Sequence, residues 1–276
     1  MRPTALITGT SSGIGLSTSK IFLANGYRVI AAMRDINLAH PLKEYAQEIG
    51  KVDELTLLTL DVSSQASVKK AYQIVSNTQT QLDVLVNNAG FGYIGAVADM
   101  SDSEMKDQFE TNFFGIHRTI KIFLPLIKQA HGAIVNVGSI SGNMTFPLSS
   151  AYCASKHALE AYTEGLWMEL APLKINVYLI EPGAIETNFY TKGTKLPQEH
   201  VYTTIYRSFY SGSITTPNQR TSHRSSPDKV AQSILYTAIH RPANLRYHVG
   251  RFSFLLPMIR KLLPTEIFYW LLQKAL

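Results

Sequence analysis

Seven short runs rich in β-branched and aliphatic residues, at 5–8, 28–33, 55–60, 84–87, 133–137, 174–180 and 246–249, alternate with longer amphipathic segments. Few architectures accept that alternation. A strand that pairs parallel with its neighbour needs a crossover of a dozen or more residues, and every gap here can hold a helix. The pattern predicts an α/β fold: a doubly wound, mainly parallel seven-stranded sheet with helices on both faces. A chain of 276 residues, 45% apolar and 17% charged, suits one domain over 1–276 with a full core. No internal repeat or linker interrupts it. The stretch 188–226 carries Tyr190, Tyr202, Tyr206 and Tyr210 without clear periodicity and reads as a substrate flap. Residues 252–276 read as a helical extension of one or two short helices, with a start at Thr265-Glu266 after Pro264.

The first run leads into Thr8-Gly9-Thr10-Ser11-Ser12-Gly13-Ile14-Gly15, and a helix is predicted over 16–25. Three glycines between a strand and a helix allow a tight bend and close backbone approach. The helix N-terminus then offers free N–H groups to a pyrophosphate. The spacing G-x-x-x-G-x-G differs from the common G-x-G-x-x-G, but the placement is that of a dinucleotide turn. Strand two ends in Ala31-Ala32-Met33-Arg34-Asp35. An acid at that strand end holds a ribose 2′-hydroxyl, and an arginine suits a 2′-phosphate. Met33 occupies the end position and Arg34 follows, which favours NADP(H). NAD(H), with Asp35 as the contact, stays open.

Tyr152 and Lys156 lie four residues apart on a predicted helix, so they share a face. A carbonyl that receives hydride develops negative charge on oxygen, and an acid must deliver a proton there. A free phenol titrates near 10. A positive charge about 4 Å away, at an effective dielectric of about 20, is worth roughly 4 kcal/mol, or about three pKa units at most. Lys156 can thus bring Tyr152 into working range. Ser139, at the end of the fifth run, would hydrogen-bond the same oxygen.

These residues, with Asp61-Val62, Asn87-Asn88-Ala89-Gly90, Asn112, and Pro182-Gly183 followed by Thr187, resemble the short-chain dehydrogenase/reductase family over nearly the whole chain. The resemblance implies a Rossmann-type fold and a catalytic tetrad of Asn112, Ser139, Tyr152 and Lys156. Asn112 would hold a relay water through its backbone, and Lys156 would also contact the nicotinamide ribose. On the cofactor side it implies Gly9, Ser11, Ser12, Gly13, Ile14 and Gly15 for the turn, Arg34, Asp61 and Val62 around the adenosine, and Asn88, Ala89 and Gly90 as the floor. Tyr152, Lys156, Pro182, Gly183, Ile185 and Thr187 would surround the nicotinamide.

The expected substrate is a hydrophobic carbonyl or alcohol, bound by Ser139 and Tyr152 against an apolar wall of Met144, Phe146, Leu148 and Tyr190. Ala32-Met33-Arg34-Asp35 and the long C-terminal extension are similar to the steroid and retinol dehydrogenase branch. Two rivals remain: a ketoacyl-carrier-protein-type reductase, which typically ends soon after the last strand, and a noncatalytic NADP(H)-binding regulator, which typically lacks the tyrosine or lysine.

The net charge is +6, and from residue 230 onward six basic residues face one acid, Glu266. Without a recognised motif beside them, nucleic acid is not an expected partner. Peripheral contact of the apolar, basic C-terminal tail with anionic lipid is one reading, though no run is long enough to span a membrane. A homodimer through the helices containing Phe113 and Trp167 is implied by the resemblance. The eight histidines show no metal-ligand spacing, so no metal is expected. One cysteine, Cys153, and no recognisable leader suit a reducing, cytoplasmic setting.

Overall fold

The computed structural model describes residues 2–187, 189, 193–196 and 224–275. Seven strands form one sheet: β1 (Thr4–Thr8), β2 (Arg28–Met33), β3 (Leu55–Thr59), β4 (Val84–Asn87), β5 (Ala133–Val137), β6 (Asn176–Pro182) and β7 (Arg246–Val249). Their order is β3-β2-β1-β4-β5-β6-β7, and every pairing is parallel. The chain starts in the middle, winds to one edge, then returns across β1 to build the other half. At that reversal the connections leaving β1 and β4 diverge to opposite faces and open a crevice at their carboxyl ends.

Every residue of β1, β4 and β5 is buried, as a sheet covered on both faces requires. Alternate residues feed two cores. Ile7, Val29, Val86 and Val135 pack with α1 (Gly13–Ala24), α2 (His40–Glu48) and, later in the chain, the helix Pro227–His240. Leu6, Ile30, Leu85 and Ile134 pack on the other side with α3 (Gln65–Ser76), α5 (Gly115–Gln129) and α6 (Ser150–Leu170). The short α4 (Asp102–Phe109) precedes α5 and opens with a capping box between Ser101 and Glu104. The helix Pro227–His240 is α7, followed after β7 by α8 (Leu255–Leu262) and α9 (Thr265–Ala275).

Polar side chains cross the second core in a continuous line. Asn87 Nδ2 donates to Asn136 Oδ1 at 2.9 Å, and Asn136 Nδ2 donates to Thr163 Oγ1 at 3.1 Å. Thr163 donates onward to the Leu159 carbonyl at 2.6 Å, and Thr119 Oγ1 lies 2.8 Å from Asn87 Oδ1. The line ties β4 and β5 to α5 and α6.

Several boundaries differ from the sequence reading, three of them with a clear local cause or consequence. The sixth strand begins at Asn176 rather than 174, because Lys174 adopts a left-handed φ of 58° to leave the preceding turn. Helix α1 begins at Gly13, so Gly13 and Gly15 form its first turn instead of preceding it. Ser226, expected in the flap, is the N-cap of α7: its side chain accepts from Asp228 N at 3.1 Å, with Pro227 at the first helical position. Most of the expected flap, including Tyr190, lies outside the described residues. Within that stretch Thr194–Lys195 pairs with Gly92–Tyr93 as a two-stranded ribbon.

The glycine turn is fixed by contact as well as by dihedral. Gly9 has φ +72° and its amide donates to the Ala32 carbonyl at 2.8 Å. A Cβ on Gly15 would stand 2.2 Å from the Gly9 oxygen. Gly15→Ala therefore pushes backbone against backbone and should lower stability by about 1–3 kcal/mol, read as a drop in the urea midpoint at unchanged slope.

Candidate active site

The crevice begins at the N-terminus of α1. Ser12 caps the helix in an extended conformation but makes no side-chain cap bond, and the first turn holds no acid. The leading N–H groups thus lack both a cap acceptor and a neutralising charge, which leaves a site for an anion. Ser11 and Ile14 are half-buried beside it. Asn88 holds the turn in place: its Nδ2 donates to the carbonyls of Thr8 at 2.9 Å and Gly9 at 3.2 Å. The backbone amides of Asn88 and Ala89 both donate to Thr8 Oγ1 at 3.0 Å. Gly90 lies against Asn112, where a Cβ would meet Oδ1 at 3.2 Å.

At the end of β2, Met33 is buried in the core, and Arg34 is exposed with no hydrogen bond or ion pair among the described residues. Its neighbour Asp35 accepts from Asn37 N at 2.9 Å and caps the next turn. Asp61 uses Oδ1 within its own turn, accepting from Ser63 N at 3.0 Å and Ser63 Oγ at 2.7 Å. Val62 is buried against Gly115. On the far side Pro182 ends β6, and Gly183 donates to the Val249 carbonyl at 2.8 Å. A side chain on Gly183 would strike the Arg251 oxygen at 2.2 Å. Ile185 is buried and bridges to Ser225, and Thr187 is close enough to Gly13 that a Cβ there would meet it at 3.3 Å. The chain leaving β6 thus comes back over the glycine turn.

Tyr152 and Lys156 occupy the first two turns of α6, a helix 21 residues long. Lys156 is buried, and its Nζ donates to the Val137 carbonyl at 2.8 Å, at the end of β5. That ammonium lies 5.8 Å from the centre of the Tyr152 ring. Burial brings the Lys156 amine down to about 8, against a smaller upward pull from Glu160. The Tyr152 ring sits against Gly92, where a Cβ would meet its edge at 3.3 Å, and 5.5 Å from the Phe189 ring. Ser139, two residues past β5, accepts from Ser141 N at 3.1 Å through Oγ, which keeps its hydroxyl proton available.

Asn112 lies in a π-helical turn, Glu110–Phe114, between α4 and α5. Its side chain is spent on structure: Nδ2 donates to the Phe91 carbonyl at 2.9 Å and to Ser155 Oγ at 3.3 Å, while Oδ1 accepts from Phe91 N at 3.1 Å. The sequence reading missed two partners of this network. Gln108, one turn earlier, donates to Phe91 O at 2.8 Å and accepts from Tyr93 N at 2.8 Å. Ser155 donates to the Tyr152 carbonyl at 2.7 Å. Only the position of Ser155 between the tyrosine and the lysine could have signalled it. Cys153, by contrast, is buried and its thiol is pushed up by that burial, so it is no thiolate.

A cavity of about 220 Å³ lies beside the N-terminus of α6, lined by Thr145, Phe146, Pro147 and Ser150 on one side and Tyr269, Leu272 and Gln273 of α9 on the other. Thr145 N donates to the Tyr269 oxygen at 3.2 Å and pins α9 there. Of the expected substrate wall, Phe146 lines this cavity. Met144 is fully buried and does not, nor do Ser139 and Tyr152. Among the described residues no helix is long and apolar enough to cross a membrane, and no cluster of three or more His, Cys, Asp or Glu side chains is arranged to hold a metal.

A family model described as short chain dehydrogenase matches residues 3–196. The chain is 35% identical over 275 residues to the uncharacterised oxidoreductase YusZ of Bacillus subtilis (strain 168), covering 99% of this chain and 98% of that protein. It is 41% identical over 192 residues to retinol dehydrogenase 8 of Homo sapiens, covering 67% and 60% of the two chains. A short-chain dehydrogenase structure from Streptomyces avermitilis superposes with a TM-score of 0.81 at 29% identity, over 100% of this chain and 98% of that one. The fold is also that of a metagenomic short-chain oxidoreductase in complex with NADP (TM-score 0.71, 23% identity, 90% and 96% covered) and of a Burkholderia phymatum enzyme in complex with NAD (TM-score 0.77, 19% identity, 96% and 93% covered). A seven-stranded parallel sheet with a glycine turn at its switch point agrees with these matches, and the chain belongs to the short-chain dehydrogenase/reductase family of oxidoreductases.

Proposed function

We propose that the protein is an NADP(H)-dependent reductase or dehydrogenase acting on a hydrophobic carbonyl or alcohol. The observation that carries this reading is the buried Lys156 ammonium, fixed on the Val137 carbonyl beside the Tyr152 ring. The N-terminus of α1, with its glycines, no side-chain cap bond and no acid, fits a pyrophosphate, and the exposed Arg34, without a partner among the described residues, fits a 2′-phosphate while Asp35 is engaged as a cap. Thr187, Ile185 and Gly183 would hold the nicotinamide end. A nicotinamide bound there supplies or accepts the hydride.

The chain's own residues handle the proton. In the reducing direction Tyr152 gives its phenolic proton to the developing alkoxide, and the Ser139 hydroxyl donates a hydrogen bond to the same oxygen. The Lys156 cation stabilises the phenolate left behind. With an amine near 8, Lys156 is mostly charged at neutral pH and loses that role as the pH rises through about 8. Asn112 has its side chain committed to Phe91 and Ser155, which leaves its backbone carbonyl as the group for a relay water.

The name of retinol dehydrogenase 8 favours a lipophilic substrate. The helices α8 and α9 beyond β7 weigh against a ketoacyl-carrier-protein-type reductase. They also present Phe254, Leu262 and Trp270, each more than half exposed, near Arg251 and Lys261, which supports peripheral contact with anionic lipid. Phe114 on the turn before α5 and Trp167 and Met168 on α6 are exposed, and a homodimer through the helices containing Phe113 and Trp167 belongs to the same reading; light scattering of the purified protein decides it.

Tyr152→Phe should reduce NADPH-linked turnover of a hydrophobic ketone or aldehyde by about 10²–10⁴-fold while cofactor binding, followed by nicotinamide fluorescence, stays within about twofold. Undiminished turnover would remove Tyr152 as the acid, and biological function that survives without turnover would favour a regulator. NADPH should bind more tightly than NADH, and Arg34→Ala should weaken NADPH about tenfold with little change for NADH. Equal loss for both cofactors would refute the 2′-phosphate contact. Flotation with anionic liposomes should carry the full chain but not one ending at Pro264, and equal flotation of the two would end the lipid reading.

A further inference from the structure

One helical turn beyond Lys156, α6 carries Glu160, and β6 carries Glu181 beside it. The proton chemistry above uses neither. Glu181 is fully buried and Glu160 is 8% exposed. Both carboxyls reach the same guanidinium nitrogen, Arg246 Nε, at 3.1 and 3.6 Å, which brings them side by side. Ionised carboxylates are acceptors only, so two of them can bond to each other only with a proton on one. In keeping with that, Glu160 Oε1 and Glu181 Oε2 have no hydrogen-bond donor among the described residues.

The surroundings supply less positive charge than two buried carboxylates need. Arg246 on β7 donates from Nε to Glu160 Oε2 at 3.1 Å and lies 3.6 Å from Glu181 Oε1, but its other arm pairs with Glu164 on α6. Asn143 Nδ2 donates to Glu181 Oε1 at 2.9 Å. His248 Nδ1 on β7 lies 2.5 Å from Glu181 Oε2, as a close contact without hydrogen-bond alignment. The remaining neighbour is Lys156, whose ammonium is turned to the Val137 carbonyl. Room for the Glu160 carboxyl comes from Gly142, where a Cβ would stand 2.9 Å from Oε1.

We propose that Glu160 and Glu181 share a single proton, held on Glu160, and that this pair sets the charge on Lys156. The second half of that statement rests on the oxidoreductase reading; the first does not. Two like charges in contact inside a protein separate into one acid and one base. Burial first, then the close contact and charge of Glu181, push the Glu160 carboxyl up to about 9, with Arg246 pulling the other way. Burial acts on Glu181 in the same direction, but the close contacts with His248 and Glu160 and the hydrogen bond from Asn143 outweigh it and hold that carboxyl below its usual range. At neutral pH Glu160 is therefore neutral toward Lys156. As the pH rises toward about 9 Glu160 ionises, and the new carboxylate opposes further loss of the Lys156 proton. Glu160 acts through Lys156 and is a positioning residue.

Infrared spectroscopy of the cofactor-free protein, labelled with carboxyl-¹³C glutamate, reads the shared proton directly. A protonated-carboxyl band should be present at pH 7, fade on titration toward about pH 9–10, and be missing in Glu160→Gln. In Glu181→Gln, which removes the neighbouring charge, the band should titrate at lower pH. Absence of the band from the wild type, or its persistence in Glu160→Gln, overturns the pair. Nitrogen-15 NMR of the lysine ammonium groups, with Lys156 assigned through Lys156→Met, reads the coupling. Glutamine keeps the shape of the neutral acid, so a purely structural role predicts no change. The proposal predicts that the Lys156 midpoint falls by about one pH unit in Glu160→Gln. An unmoved midpoint removes the link to Lys156. Neither measurement needs turnover, so failure of the enzymatic reading would be seen separately, in the Tyr152→Phe comparison.

Discussion

Where α6 lies on the sheet is decided by one line of buried hydrogen bonds. Asn87, Asn136, Thr119 and Thr163 are all essentially solvent-free, and each finds its partner in another. An unpaired member would cost about 1–3 kcal/mol, so the line forbids α6 from sliding or rotating against β4 and β5. Apolar packing alone tolerates such slips. The tyrosine and the lysine lie in the first two turns of the helix that is anchored this way, and the serine lies just past the strand that anchors it. The placement of these three residues is inherited from a polar seam in the core.

That placement has an electrostatic consequence. Holding α6 down drives the Lys156 ammonium into the protein, where the Val137 carbonyl is the acceptor it meets. A cation in that position is destabilised, which is why its amine sits near 8 and not at the ordinary lysine value. The same burial brings Glu160 and Glu181 together, and the protein answers with a proton in place of a second charge. Functional groups with displaced pKa values gather where desolvation is unavoidable, and here the sheet–helix contact makes it so.

Much of this was legible in residue order. The strand positions followed from β-branched runs with helix-sized gaps, and six of the seven strands begin within one residue of the expected position. Gly9, Gly13 and Gly15 marked a turn that only residues without Cβ can make, and Tyr152 and Lys156 announced a shared helix face by their spacing of four. The failures have physical causes. Lys174 carries no local sign that it will turn left-handed, because that is imposed by the turn it leaves. Met144 is fully buried, and sequence alone cannot tell an apolar residue of a wall from one of a core. Gln108 reads as an ordinary helix residue until the chain at Phe91 is folded against it, and the resemblance marked Asn112 for its backbone, not for the side-chain bonds it makes to Phe91.

The sequence by itself determined the sheet, its crossovers, the glycine turn and the shared helix of Tyr152 and Lys156, since these depend on periodicity, on missing side chains and on spacing within one helix. The tertiary structure decided what surrounds them. The choice of Arg34 over Asp35 as the free group comes from the cap that Asp35 makes. The partnership of Glu160 with Glu181 joins residues on different elements, 21 positions apart, which no local pattern can reveal. Their shared proton exists only because folding takes both carboxylates out of water at one place.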